Sequence, residues 1–250
     1  MPNEPRAPRL AVLIDADNAS SRIATRLFEE IAKYGEASVR RIYGDFSDSR
    51  MQPWIAVLPE HAIKAQQNFP KTSKKNSADI ALVIDAMDLL HTGRFEGFCL
   101  VSSDSDFTGL AERIREQGLI VYGFGEQKTP DSFRQACNRF ILSENLLPDD
   151  NAATSTGQAG ASTATHKKPP SKALDLLQRA VRDLEEEWVQ LGLVGQQLAK
   201  MSPDFDPRTY GQAKLSDLVE KVGAFESRRT DAGHVQIRLK PNAAKGRSKA

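Results

Sequence analysis

The stretch RLAVLIDADN, residues 9–18, decides the fold class. It begins as a run of aliphatic residues, which is typical of a strand that is buried on both faces of a sheet. The run stops at Asp15, and Asp17 and Asn18 follow directly. Ligands of open parallel sheets bind beyond the carboxyl ends of the strands, so this ending predicts a functional site at that edge.

The composition of the 250-residue chain is that of a globular protein, with 40% hydrophobic and 27% charged residues. A net charge of +1 makes any affinity for nucleic acid or membrane depend on local patches. No stretch approaches the ~20 apolar residues of a membrane span, and the N-terminus has no secretory signal pattern. Cys99 and Cys137 stand in different segments and the four histidines are dispersed, so we expect a cytoplasmic protein without structural zinc.

The domain organisation follows from a sharp change of composition at residues 149–171, where there is no large aliphatic or aromatic side chain. Such a segment cannot bury enough apolar surface to offset its ordering entropy. We therefore predict a first domain over residues 8–147, a flexible linker over 148–171, a second domain over 172–240 and a basic tail over 241–250.

Strand-like and helix-like segments alternate before the linker, which predicts an α/β domain with a mostly parallel sheet flanked by helices. The stretch WIAVLPEHAIKAQQNF, residues 54–69, fits either a short helix or a helix followed by a strand. After the linker, residues 172–192 have helical apolar spacing that places Trp188 in the core, and two shorter helices and a hairpin follow. This order predicts a small winged helix-turn-helix-like domain.

Acidic residues recur where three segments of the predicted sheet meet its carboxyl edge. Asp15 ends the first strand, Asp104 and Asp106 follow the strand GFCLVSS, and Asp79 lies in the first turn of the helix SADIALVIDAMDLL. Clustered carboxylates repel one another unless a cation neutralises them, and hard oxygen ligands favour Mg²⁺ or Mn²⁺. Divalent cations held by carboxylates support phosphodiester hydrolysis, so the pattern indicates a metal-dependent hydrolytic site.

Each acid has a structural alternative. Asp17 and Asp104 are good helix N-caps, and Asp79 suits the first turn of a helix because it complements the helix dipole. Three purely acidic caps at one sheet edge are a less probable coincidence than one site, so we favour the site. Asp85 and Asp88 lie deeper in the same helix as Asp79 and are interpreted as structural or supporting residues.

The segments LIDADN, SADIALVIDAMDLL, LVSSDSDFTGLAERIREQGLIVYGFG and FRQACNRFI, in this order, resemble the NYN domain of the LabA type, a relative of the PIN-domain ribonucleases. The resemblance covers about residues 8–145 and implies a PIN-like α/β fold with a metal-dependent ribonuclease site. It implies that Asp15, Asp79 and Asp104 are the principal catalytic acids and metal ligands, joined by Asp106. Asn18 and Ser103 are expected to support them.

Residues 172–240 resemble an OST-HTH or LOTUS domain, through FDPRTYGQAKLSDLVEKVGAFE and the hairpin after it. The resemblance implies RNA as a partner, single-stranded or structured, and leaves open a protein partner at this domain. Exposed basic residues contact phosphates without reading sequence. The predicted RNA-binding residues are Lys74, Lys75, Lys214, Arg228, Arg229 and Arg238. Phe46 or Trp54 would suit base stacking, although aromatics in such a fold are more often core.

Three other functions compete with a ribonuclease. One is a catalytically inactive RNA-binding regulator that keeps the acids without using them. Another is a phosphatase with an aspartate nucleophile in LIDADN, which is disfavoured because Ala19 stands where that motif has Thr. A calcium loop is weaker still, because the glycine and distal glutamate of an EF-hand are missing. The sequence leaves open whether the chain forms a homodimer.

Overall fold

The computed structural model describes residues 6–69, 76–147, 167–230 and 233–241. Contacts divide the chain into two compact units, one within residues 1–159 and the other within 160–250. Cys99 and Cys137 are both buried and unpaired. Among the helices in the described ranges, none combines the length and apolar character needed to cross a bilayer.

The first unit contains a six-stranded parallel sheet in the order β3-β2-β1-β4-β5-β6. The strands are β1 Arg9–Asp15, β2 Glu36–Gly44, β3 Lys64–Gln67, β4 Gly97–Val101, β5 Ile120–Gly125 and β6 Arg139–Leu142. The strand order reverses between β1 and β4, at the centre of the sheet. This is the place where open α/β sheets bind their ligands, so the predicted fold class is confirmed and the reversal marks where a site belongs.

Helices cover both faces of this sheet because the residues of the central strands β1 and β4 are apolar and buried on both sides. In β1, Val12 and Ile14 pack with α1 Ala24–Ile31 and α2 Gln52–Val57. Ala11 and Leu13 face the opposite layer, which contains α3 Ser77–His91, α4 Thr108–Glu116 and α5 Asp131–Ala136. The three layers fix the directions in which the strands and α3 project toward the carboxyl edge.

The ambiguous stretch at residues 54–69 is the end of a helix followed by a strand. Helix α2 ends at Val57, shortly before Pro59, and β3 then pairs with β2 at the edge of the sheet. The sequence of β3, KAQQ, is polar and mostly exposed, as expected of an edge strand. That polarity removes the apolar signal by which a strand is recognised from sequence.

The second unit packs three helices against a small antiparallel sheet in the order β7-β9-β8. Its elements are α6 Leu174–Arg182, β7 Val189–Gln190, α7 Leu191–Met201, α8 Leu215–Val222, β8 Phe225–Arg229 and β9 Val235–Leu239. Before α6, the backbone N–H of Lys168 donates to the Thr209 carbonyl. Residues Pro170–Ala173 then form a 3-10 turn that leads into the helix. The structure agrees with the predicted winged helix-turn-helix arrangement and adds β7 to it.

The prediction of one long helix over residues 172–192, with Trp188 in the core, is wrong. Helix α6 ends at Arg182, and Glu185 has a left-handed backbone with φ of 53°. Val189 is the buried residue instead, because it pairs with Ile237 in the sheet. Trp188 is half-buried beside guanidinium groups of β8 and β9.

Candidate active site

Two acids lie at the carboxyl ends of the central strands. Asp15 is the last residue of β1 and only 1% exposed. Asp104 follows β4 and forms the N-cap of a 3-10 turn, Ser105–Phe107, by accepting the backbone N–H of Asp106 at 2.9 Å. The capping alternative for Asp104 is therefore realised, although it uses Oδ1 alone. Among the described residues nothing donates to its Oδ2, so the cap leaves that oxygen available to a ligand.

Hydrogen-bond donors surround the carboxylate of Asp15. Asn18 Nδ2 donates to Oδ2 at 2.8 Å, and the Asp17 backbone N–H donates to Oδ1 at 3.2 Å. Burial raises the pKa of Asp15, and these donors together with Ser102 oppose that effect. Asn18, the expected supporting residue, is thus in direct contact with the acid.

Ser102 is the residue that sequence reasoning missed. Its hydroxyl donates to Asp15 Oδ2 at 2.7 Å and accepts the backbone N–H of Asp104 at 3.0 Å. Ile14 pairs with Val101, the last residue of β4, so Ser102 directly after the strand is level with Asp15. Ser102 and Ser103 are chemically identical, so the sequence alone does not indicate which of them contacts Asp15. Only the register of β1 against β4 distinguishes them.

Ser103, the predicted supporting residue, is turned toward another strand. Its Oγ accepts the backbone N–H of Glu126 at 2.8 Å, just beyond the end of β5. Consecutive residues of an extended chain point in opposite directions, which separates the two serines. Among the described residues Ser103 has no hydrogen bond to a carboxylate of the site.

Asp79 enters this edge from a third segment, the first turn of α3. Its pKa is raised from 3.8 to about 6 by partial burial and, in decreasing order, by the charges of four other carboxylates. These are Asp15, Asp104, Asp17 and Asp106. Five carboxylates from three segments are therefore near enough to act on one another electrostatically.

Asp106 links the β4 loop to the start of α3. Its Oδ2 accepts a hydrogen bond from Asn76 Nδ2 at 3.3 Å, and Asn76 is the N-cap residue of α3. The loop and the helix that contribute Asp104 and Asp79 are therefore joined through an exposed pair of polar side chains.

Asp85 anchors the middle of α3 to the sheet. Its two carboxylate oxygens accept hydrogen bonds from the Arg41 guanidinium and the Tyr43 hydroxyl, both on β2. Tyr43 is adjacent to Asp15 in the sheet register, and burial together with the Asp85 charge raises the Tyr43 pKa. The structural interpretation of Asp85 agrees with these contacts, which hold the helix of Asp79 in place.

The donor set of this edge fits a hard divalent cation by its chemistry. All the candidate ligands are carboxylate oxygens, and a bound cation would relieve the mutual repulsion that adds to burial in raising the Asp79 pKa. In the described ranges, however, no three Asp, Glu, His or Cys side chains are close enough together to hold one ion.

The predicted RNA-binding residues occupy different surroundings. Lys74 and Lys75 lie outside the described residues, and Lys214 is exposed at the start of α8. Arg228 and Arg229 are neighbours on β8, so their side chains leave opposite faces of the small sheet. These two residues therefore do not share one basic face.

Arg238, on β9, forms ion pairs with two glutamates. It forms ion pairs with Glu226 at 2.7 Å and Glu187 at 2.6 Å. Its guanidinium lies 4.6 Å from the centre of the Trp188 ring, and that of Arg228 lies 4.1 Å from it. The Arg238 charge is thus largely neutralised within the domain.

Comparison with known proteins matches both parts of the chain. Residues 9–144 match the NYN domain family, and residues 166–236 match the OST-HTH/LOTUS domain. Among curated proteins, no significant match was found. A crystal structure of a protein of unknown function from Vibrio parahaemolyticus is similar, with 20% identity and a TM-score of 0.46. The match covers 56% of this chain and 95% of that one.

Proposed function

The chain belongs to the NYN-domain family, and from this premise we propose that it is a metal-dependent ribonuclease with a C-terminal RNA-binding domain. NYN domains are typically metal-dependent nucleases, and OST-HTH domains bind RNA. The observation that carries the proposal is the surroundings of Asp79, where partial burial and, after it, the charges of four other carboxylates raise the pKa to about 6. Such a cluster lowers the stability of a fold unless a cation binds to it.

In this proposal Asp15, Asp79 and Asp104 hold Mg²⁺ or Mn²⁺, and Asp106 assists them. A bound divalent cation would lower the pKa of water and stabilise negative charge on the phosphate oxygens during cleavage. Asn18 and Ser102 keep the buried Asp15 carboxylate oriented by their hydrogen bonds. Asp85 holds α3, and hence Asp79, against β2.

The second domain contributes RNA affinity. Lys214, Arg228 and Arg229 are exposed and suited to phosphate contacts. Tethering such a domain to the nuclease domain raises the local concentration of RNA near the carboxylates. Lys74 and Lys75 come shortly before α3 in the sequence. In this proposal they contact the phosphates of the RNA strand that enters the site near Asp79.

Cleavage of a labelled single-stranded RNA by the full chain, with Mn²⁺, Mg²⁺ or EDTA, tests the proposal. We expect metal-dependent products and a rate at least about 100-fold lower in Asp104→Asn, because a ligand is lost. Asp88→Asn is the matched control, since Asp88 is exposed on α3 outside the cluster. Equal cleavage by wild type and Asp104→Asn would refute the assigned site.

A non-catalytic RNA-binding regulator is the second candidate, and one observation favours it. Among the described residues, no three acidic side chains are already gathered closely enough to hold an ion. If the wild type binds RNA on a native gel but cleaves it with neither metal, the regulator replaces the ribonuclease as the better account.

A further inference from the structure

Helix α3 has an apolar face that points away from the sheet. The side that packs on the sheet is formed by four buried residues, Leu82, Ala86, Leu89 and Leu90. At about 100° per residue, Ile80 and Ile84 lie on the opposite side, and they are 60% and 58% exposed. Val83 and Met87, which are only partly buried, lie beside them. We call Ile80, Val83, Ile84 and Met87 the α3 stripe.

The folding of α3 does not explain the α3 stripe. A surface helix normally has polar and charged residues opposite its buried side, and a helix that is apolar all round is normally buried. Isoleucine is also a weaker helix former than the polar residues that usually occupy exposed helical positions. Ile80 and Ile84 are four residues apart, so their side chains are neighbours and form one contiguous patch. An exposed contiguous apolar patch indicates an interaction surface.

The shape of the α3 stripe favours a helix as its partner. The stripe lies on the outer side of a helix that covers the sheet, so it is a convex ridge and not a groove. Ridges of this kind pack into the grooves between the side chains of a second helix. Another copy of α3 supplies such a helix, with the same apolar side chains exposed at the same spacing.

The charges at the two ends of α3 are complementary. Asp106 accepts a hydrogen bond from Asn76, the N-cap residue, so an exposed carboxylate lies at the beginning of the helix. His91 ends the helix and Arg94 follows three residues later, and both are exposed. Two parallel copies of α3 would bring like ends together. An antiparallel pair around a two-fold axis instead brings each acidic end to the basic end of the other copy.

We propose that the α3 stripe binds a second copy of this chain, with the two α3 helices antiparallel across a two-fold axis near Ile84. The stripe spans two turns, about 11 Å, which is less than the ~800 Å² per partner of a standard interface requires. The dimer is therefore weak, with a Kd on the order of 10 µM. Asp79 lies about 100° around the helix from Ile80, so pairing leaves the carboxylates of the candidate active site uncovered.

Sedimentation velocity of the full chain, from about 1 to 100 µM, tests the dimer without any assay of cleavage. We expect wild type to pass from monomer to dimer and Ile84→Arg to raise the Kd at least about thirtyfold, as loss of a central contact does. Ile120→Arg is the matched control, because Ile120 is also exposed but belongs to the face of β5 that Phe124 shares, in the opposite layer. A monomeric wild type, or a dimer that Ile84→Arg weakens no more than Ile120→Arg, would overturn the proposal.

Ile84→Cys tests the position of the two-fold axis. Two side chains that face each other across the axis are within reach of one disulfide. The native Cys99 and Cys137 are buried, so they do not react in the folded chain. After mild oxidation, we expect a covalent dimer of Ile84→Cys on a non-reducing gel and none of Ile120→Cys. No covalent dimer of Ile84→Cys, or an equal yield from the two variants, would contradict the pairing of α3 with α3.

Discussion

The Ser102 hydroxyl donates a 2.7 Å hydrogen bond to Oδ2 of Asp15. This contact joins the carboxyl ends of β1 and β4, the two strands at which the strand order of the sheet reverses. Both side chains are buried, so neither has water as a substitute partner. The position of the most buried acid in the candidate site therefore depends on a neutral side chain from the adjacent strand.

We expect Ser102→Ala to lower the free energy of unfolding by about 1–3 kcal/mol at pH 7, because a buried carboxylate loses a donor. Urea unfolding monitored by circular dichroism measures the change. Ser105→Ala, in the same loop but exposed, is the control and should stay within about 0.5 kcal/mol of wild type. A neutral Ser102→Ala would mean that the hydrogen bond does not hold Asp15.

Asp79 predicts an unusual pH dependence for the metal-free protein. Folding raises its pKa from 3.8 to about 6, so the folded state binds the proton more tightly than the unfolded chain. The stability linked to Asp79 is therefore highest below pH 3.8 and is lost as the pH rises to about 6. Above pH 6 the ionised Asp79 side chain lowers the free energy of unfolding.

Asp79→Asn should accordingly stabilise the protein in EDTA at pH 8, by about 1 kcal/mol, since solvent screens this half-buried group. Near pH 4 the benefit should largely vanish. Urea unfolding at the two pH values gives the comparison. With Mn²⁺ at pH 8 the order should reverse, because the cation stabilises only the intact site. If Asp79→Asn stabilised the protein equally at pH 8 and pH 4, ionisation of Asp79 would not be the cause.

The anchor of α3 predicts a larger loss of stability. Asp85→Ala leaves the nearly buried Tyr43 hydroxyl and the Arg41 guanidinium without their shared acceptor. We expect the free energy of unfolding to fall by about 2–3 kcal/mol. Asp88→Ala, on the exposed side of the same helix, should change it by less than about 0.5 kcal/mol. Similar effects of the two substitutions would show that the anchor contributes little.

Arginine pairing in the second domain predicts which residues contact RNA phosphates. Arg229 is exposed and makes no ion pair within the described part of the chain, whereas Arg238 is held by Glu226 and Glu187. Arg229→Gln should reduce the slope of log Kd against log salt by about 0.7, the value for one contact to a single strand. Arg238→Gln should change the slope less. Fluorescence anisotropy with labelled RNA measures both, and the opposite ranking would reject this assignment.

The first domain was predictable because its signals are strong and local. The aliphatic run that ends at Asp15, the helical period of α3 and the apolar strand before Asp104 all predicted the correct elements. What sequence did not show was strand register. Ser102 and Ser103 are alike by type, and only the pairing of Ile14 with Val101 determines which one meets Asp15.

The second domain shows the limit of helical periodicity. Trp188 continues the apolar spacing of α6, yet the helix ends six residues earlier and Val189 is buried instead. A tertiary contact, the pairing of Val189 with Ile237, overrides the local pattern. The ion pairs of Arg238 were likewise unpredictable, since their acids come from two other segments.

The most direct test of the central claim, that separate segments form one metal site, is calorimetric titration of Mn²⁺ into the full chain. The account predicts binding to wild type and an affinity at least about tenfold lower in both Asp79→Asn and Asp104→Asn, with Asp88→Asn unchanged. Mn²⁺ binding that neither Asp79→Asn nor Asp104→Asn weakens, or no binding to wild type, would contradict it.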